Sequence, residues 1–322
     1  MTGAHKTGPF CRLLLAVFLL LNGLALVCGL SSQRFPGAVF LPATLQIAHV
    51  RDVRPADRLM GEFSLALGSQ LALRGQMLAA SGLLVQATRL LPDNATAFLH
   101  YGIVQDALDH LPEAASAYRE AIRLAPDEVS GYYNLGLLLE RMDALDEGID
   151  ILRQGLVLRP EHVMLNYNLG VLYARKNDFE HSAHFSRRAC ELKRDFAESL
   201  NNYGYALAHL GRYPEALKAV EQSLALQPES AAALDSKGFV LFGMARYAEA
   251  LVQYDQALKV DPTIGEIYLH QAQALEKLNR GAEAIAAYRT YLELTPNAPD
   301  QAAVGERIRQ MEAQRAGTAV VR

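Results

Sequence analysis

Asn134, Asn168 and Asn202 stand 34 residues apart, each two positions before a glycine. A carboxamide offers one acceptor and two donors. That is enough to meet both the C=O and the N–H of an extended chain, so the chemistry on offer is recognition rather than bond making. The competing reading is that these amides cap or brace neighbouring helices. Elsewhere the reactive side chains are sparse. His181 and His184 are three residues apart, yet no Cys or carboxylate spacing completes a zinc set, so they read as surface histidines. Cys190 is the one thiol in the body of the chain, and a single thiol forms no internal disulfide. The sequence holds no nucleophile motif and no phosphate loop, and it implies neither a cofactor nor a metal. An enzyme is not expected.

What positions the asparagines is a repeat. Residues 98–126 read FLHYGIVQDALDHLPEAASAYREAIRLAP. Phe98, Tyr101 and Gly102 share one helical face, Leu111-Pro112 breaks the chain, and Ala114, Tyr118 and Ala121 share the face of a second helix ending at Pro126. The pattern returns at 34-residue steps. Gly68, Gly102, Gly136, Gly170, Gly204 and Gly238 occupy one slot, with Ala272 closing it. At ordinary glycine usage, six of seven slots fill by chance roughly once in a million. Prolines hold a second slot at 92, 126, 160, 228, 262 and 296, with Arg194 as the exception. A fixed period of this length means stacked helical hairpins, each too small to bury its own apolar face.

Two further slots carry small residues where the second helix must approach its neighbours. One reads Ala80, Ala114, Gly148, Ser182, Ala216, Ala250 and Ala284. The other reads Ala87, Ala121, Gly155, Ala189, Ser223, Ala257 and Tyr291. Larger side chains there would hold helices apart, at about 1–3 kcal/mol per overpacked site. The expected organisation is a linker over residues 31–58 and seven repeats within 61–296. Their bounds are 61–94, 95–128, 129–162, 163–196, 197–230, 231–264 and 265–298. A capping helix and tail follow over 299–322. Helix resumes after Pro55, which suits a first helical turn. The last helix, over 300–315, buries Val304, Ile308 and Met311 and turns Glu, Arg and Gln outward, with a frayed end beyond.

Composition removes one class of partner. The 322 residues carry a net charge of −4 and 51% apolar side chains, with no Trp. There is no basic field to hold a nucleic acid backbone, so nucleic acid is not an expected partner. The N-terminus adds a different one. Residues 13–30 hold no charge, with Lys6 and Arg12 before them, and a helix of that length spans about 27 Å. An uncleaved membrane anchor over residues 10–30 is the first reading, with the repeats outside the cytoplasm by the flanking cations. A cleaved signal over 1–30, leaving a secreted or periplasmic protein, is the second. Lipidation at Cys28 is the third, weakened by Val27 where a small residue is wanted.

A large residue three before a large residue and a glycine, then alanine, aromatic, alanine and proline at these offsets, resembles the tetratricopeptide repeat family. The resemblance implies an all-α, right-handed superhelical solenoid of seven antiparallel helix pairs, here with a capping helix and the N-terminal hydrophobic helix. It also implies that the first helices line a concave groove holding an extended peptide or a partner helix. The three asparagines then resemble the ladder by which superhelical repeats grip a peptide main chain. Around them the groove positions are Tyr133, Leu137, Tyr167, Val171, Asn201, Tyr205, Phe239 and Phe242, although Phe239 and Phe242 also suit packing between hairpins.

Arg141, Arg175 and Lys277 are too few and too peripheral for a clamp on a terminal carboxylate. Arg175, Lys176, Arg187, Arg188, Lys193 and Arg194 form a basic cluster that reads as a solvated outer face or a contact for an acidic partner or an anionic headgroup. The fourth hairpin departs most from the family pattern, through Asn166, Ser182, Ser186 and Arg194, and reads as a soft point. The function expected is a membrane-tethered, non-enzymatic scaffold. The alternatives are a secreted or lipidated envelope-assembly factor, or a regulatory subunit of an enzyme.

Overall fold

The backbone bends back on itself at one repeated position. Residues 75, 109, 143, 177, 211, 245 and 279 all have φ between 58° and 79°, the left-handed region. Each lies in a three-residue turn that ends a first helix and starts a second. Glycine fills this slot at Gly75 and Gly211, and Asp or Asn, which tolerate the conformation, at four others. Ala245 has neither advantage.

The computed structural model describes residues 54–320, and side chains as far as residue 314. The described residues form fifteen helices and no strand. They are α1 (Pro55–Leu73), α2 (Met77–Leu90), α3 (Ala95–Ala107), α4 (Leu111–Leu124), α5 (Val129–Arg141) and α6 (Leu145–Leu158). Then come α7 (Val163–Arg175), α8 (Phe179–Leu192), α9 (Ala197–His209), α10 (Tyr213–Leu226) and α11 (Ala231–Gly243). The series closes with α12 (Tyr247–Val260), α13 (Gly265–Lys277), α14 (Gly281–Leu294) and α15 (Gln301–Val320). Leu111-Pro112, expected to break the chain, instead begins α4, because proline at the second helical position gives up no hydrogen bond. The break is at Asp109. Helix α15 runs on past the frayed end expected for it, to Val320. The apolar segment 13–30, Cys28 and most of the linker lie outside the described residues.

The described residues divide into two compact units, one ending at Pro160 and the other starting at Glu161. In the first, α1/α2, α3/α4 and α5/α6 pair, α2 packs on α3 and α4 on α5, and the first helices α1, α3 and α5 touch in order. In the second, α7/α8, α9/α10, α11/α12 and α13/α14 pair in the same manner, α7, α9, α11 and α13 touch in order, and α15 lies on α14.

Close approach is what the small slots provide. Ala80, Ala114, Ser182, Ala216, Ala250 and Ala284 have no exposed surface, and Ala87, Ala189 and Ala257 have none either. The repeated glycine does the same work inside each pair. A Cβ on Gly68 would sit 2.8 Å from Leu84, and one on Gly102 would sit 2.7 Å from Tyr118, well inside contact distance. Val304, Ile308 and Met311 of α15 are buried against Tyr288 and Tyr291, which closes the last apolar face. The Tyr291 hydroxyl donates to Asp300 at 2.5 Å, and burial followed by that carboxylate pushes its pKa up to about 12.

Candidate functional site

The asparagine slot extends further than asparagine does. At 34-residue steps it reads Ala66, His100, Asn134, Asn168, Asn202, Ser236 and His270. At its two histidines it braces one first helix against the one before. His100 Nδ1 meets the Ser69 hydroxyl at 2.5 Å, and His270 Nδ1 meets Asp235 Oδ1 at 2.8 Å. In the first unit Asn134 is only 3% exposed, and its Nδ2 donates to the Ser130 carbonyl of its own helix at 2.9 Å. In the second unit Asn168 is 5% exposed, its Nδ2 buried with no hydrogen-bond partner, while Asn202 is half-buried.

The remaining groove positions divide by exposure. Tyr133 is buried at 2% exposure. Leu137, Tyr167, Val171, Asn201, Tyr205, Phe239 and Phe242 are all half-buried. The Tyr167 ring lies 4.9 Å from Phe196, and Asn201 buries its Oδ1 without a partner. Phe242 packs on Tyr247 at 5.2 Å and against the Leu234 and Leu241 core. Phe239 packs partly on Leu207, Ala208 and Val240.

In the second unit these positions join into a strip of rings that crosses three first helices. His209 stacks on Phe179 with centroids 3.9 Å apart and planes at 5°. It also meets Tyr205 at 4.5 Å and Phe239 at 4.8 Å. Tyr205 and Phe239 are 5.9 Å apart, and Phe239 continues to His270 at 5.8 Å. Tyr254 of α12 also meets His270, at 5.8 Å. Such ring pairs add about 0.5–1.5 kcal/mol beyond area burial.

The strip alters its own titration. Partial desolvation by its ring neighbours, although it keeps exposed surface, and then the like charge of His270 push His209 below the usual imidazole range. Burial alone would lower His270 as well, but the Asp235 hydrogen bond and charge, with Glu266 adding, raise it. Tyr205 is raised by burial and then by Asp235.

Sequence reading missed Phe179, His209, Asp235 and His270. The signal for His270 was present in the slot it shares with the asparagines. His209 follows Tyr205 by four residues, one helical turn, on the same face.

The cations noted in the sequence are differently placed. Arg141 of α5 reaches back to α3, pairing with Asp106 and, at 2.8 Å, with Asp109. In the basic cluster Arg187 pairs with Glu191 at 3.6 Å, and Arg188 pairs with Glu191 at 3.3 Å and Glu161 at 3.9 Å. Lys193 sits 5.1 Å over the Phe196 ring. Glu191 and Glu161 therefore offset the charge of Arg187 and Arg188, while Lys193 keeps its charge over the ring. His181 binds the Asp178 carboxylate at 2.8 Å and stacks on Tyr173, the carboxylate partner that spacing alone did not suggest. Among the described residues no three His, Cys, Asp or Glu side chains gather as a metal set. Among them, too, no helix is long and apolar enough to cross a membrane.

Comparisons with known proteins agree on the fold. Three family models described as tetratricopeptide repeat match the chain, over residues 65–129, 102–158 and 238–299, over 195–263, and over 165–196. A tetratricopeptide repeat protein from Parabacteroides merdae superposes with a TM-score of 0.63 at 14% identity, covering 79% of this chain and 99% of that one. YrrB, described as a repeat protein with an unusual peptide-binding site, gives 0.51 at 22% identity over 59% of this chain and 97% of its own. Yeast Tom70 gives 0.51 at 18% identity over 81% of this chain and 56% of its own. No curated protein matches in sequence. The match to repeat models through both units and the run of 34-residue helix pairs agree: the chain belongs to the tetratricopeptide repeat family.

Proposed function

We propose that this protein is a non-enzymatic interaction scaffold whose first helices hold an extended peptide or a helix of another protein. In this reading residues 10–30 tether it to a membrane with the seven repeats outside the cytoplasm. The observation that carries the binding reading is the ring strip of the second unit. Tyr205, Phe239 and His270 lie in ring contact on three successive first helices, yet remain only half-buried. Half-exposed aromatics aligned in a row supply large contact area at low side-chain entropy cost, the composition of binding hot spots. The amides of Asn201 and Asn202 lie on α9 beside Tyr205 and add main-chain recognition, while the more deeply buried Asn168 lies on the neighbouring α7. Asn134 enters this reading as the least accessible of the set, since its amide is bonded inside α5.

The test is site-directed photo-crosslinking in the native host, with a benzophenone amino acid placed in the full chain. A probe at Phe239 is expected to trap a discrete partner. The same probe at Gln256, exposed on the second helix α12, is expected to trap none. Equal trapping from both positions would remove the first helices from the binding surface. The membrane reading is tested separately, by whether the mature chain retains Met1 and resists alkaline extraction.

A further inference from the structure

We propose that the ring strip takes an uncharged aromatic side chain of an extended protein segment and releases it in acid, with His209 as the proton-sensitive ring. This rests on the binding reading above and assigns it a ligand class and a regulation. His209 is exposed, yet it contacts three rings, Phe179, Tyr205 and Phe239, at 3.9–4.8 Å. Whatever covers those rings covers the imidazole. An apolar cover removes water from the charged form and leaves the neutral form little affected, so bound ligand and bound proton exclude one another.

The charges around His209 offer its proton no counterion. From α11 comes Asp235, whose carboxylate is already bonded to His270 at 2.8 Å. From α13 come His270, a like charge, and Glu266, which acts on His270. Before α10, Arg212 is paired with Glu215 at 2.7 Å. On α8, Phe179 sits between Asp178, bonded to His181, and the exposed Glu180. Arg175, at the end of α7, is a further cation. The strip itself is rings, with the Asp235–His270 pair as its one internal ion pair. That surface suits an uncharged aromatic segment better than an acidic or basic one. His209 already titrates low in the free protein, and a ligand would lower it further. Affinity is then level near pH 8 and falls as pH drops through the free-protein value.

The absence of Trp makes the test direct, because excitation at 295 nm then reads only a Trp-bearing probe. The probe is the capped, uncharged peptide acetyl-Gly-Trp-Leu-Gly-amide, titrated with the full chain between pH 5 and pH 8. Binding is expected to weaken several-fold toward pH 5, with about tenfold as the limit set by one pKa unit of displacement. His209→Gln, whatever its absolute affinity, is expected to give a flat profile, and Phe239→Ser to lose binding at every pH. A flat profile in the wild type, or an unchanged fall in His209→Gln, would overturn the proposal while leaving the strip as a binding surface. No binding at any pH would overturn both.

Discussion

Gly170 of α7 lies directly against the hydroxyl of Ser186 on α8. The corresponding glycines of other pairs face Leu84, Tyr118, Leu152, Val220 and Tyr254. The fourth hairpin therefore puts a small polar side chain where its neighbours put a larger apolar one. One turn away, Ser182 takes a slot that is alanine in five other hairpins. Both serines are fully buried and neither hydroxyl has a hydrogen-bond partner. An unsatisfied buried hydroxyl costs about 1–3 kcal/mol. Ser182→Ala removes that cost without adding an atom, so it is expected to stabilise by about 1 kcal/mol. Urea titration followed by circular dichroism measures it. A lowered midpoint would show that the hydroxyl is satisfied in solution and that the hairpin is not weak for this reason.

Ala245 gives a second site of avoidable strain. Its φ of 59° places Cβ against the following carbonyl, where six other turns use Gly, Asp or Asn. The left-handed conformation costs an ordinary residue about 1–2 kcal/mol. Ala245→Gly is expected to raise the thermal midpoint by a few degrees, less the added freedom of the unfolded chain. Gly211→Ala, at φ 74° in the preceding turn, is expected to lower it. Differential scanning calorimetry of the pair decides it, and the same sign for both would refute the argument.

These two cases mark what was legible in the sequence. The hairpins, their small slots and the apolar stripe of α15 were readable because they recur at fixed spacing in one residue type. The turn slot recurs just as strictly, but its seven positions use Gly, Asp, Asn and Ala, so backbone conformation unites them rather than a letter. The ring strip was partly legible. Tyr205 and Phe239 follow from their place on the first helices. The Asp235–His270 contact, however, joins residues 35 apart in a register that only the packing of α11 on α13 defines. Asn134 shows the converse. Its type and spacing suited ligand binding, but position along the helix cannot say whether an amide points outward or bonds to the carbonyl four residues back.

The two imidazoles of the strip predict opposite pH effects on stability. His270 is raised in the folded protein, so its contribution is complete below about pH 6.5, the ordinary imidazole value, and is lost as pH rises through the raised value. His209 is lowered, so its contribution is present above that ordinary value and is lost as pH falls through the lowered one. His270→Gln is therefore expected to destabilise more at pH 6 than at pH 8.5. His209→Gln should instead remove part of the loss below pH 6. Urea midpoints across that range give both slopes. A His270→Gln effect independent of pH would mean that the bond to Asp235 does not hold a proton.

The last prediction concerns how α15 is held. Glu276 of α13 accepts from Arg307 of α15 through two nitrogens, and from the Tyr288 hydroxyl of α14 at 2.7 Å. One carboxylate thus joins three helices, and burial, then the bond to Glu276, raises the Tyr288 phenol above the ordinary tyrosine range. Arg307 is exposed, so its share of the pairing is small, and the buried phenol carries more of the cost. Glu276→Gln keeps an acceptor for Tyr288 and is expected to be mild. Glu276→Ala leaves the phenol without one and is expected to cost about 1–2 kcal/mol, concentrated at the α14–α15 contact. Hydrogen exchange should then rise across residues 301–314 and stay unchanged in the first unit. Equal protection in both variants would mean that Val304, Ile308 and Met311 hold α15 by apolar contact alone.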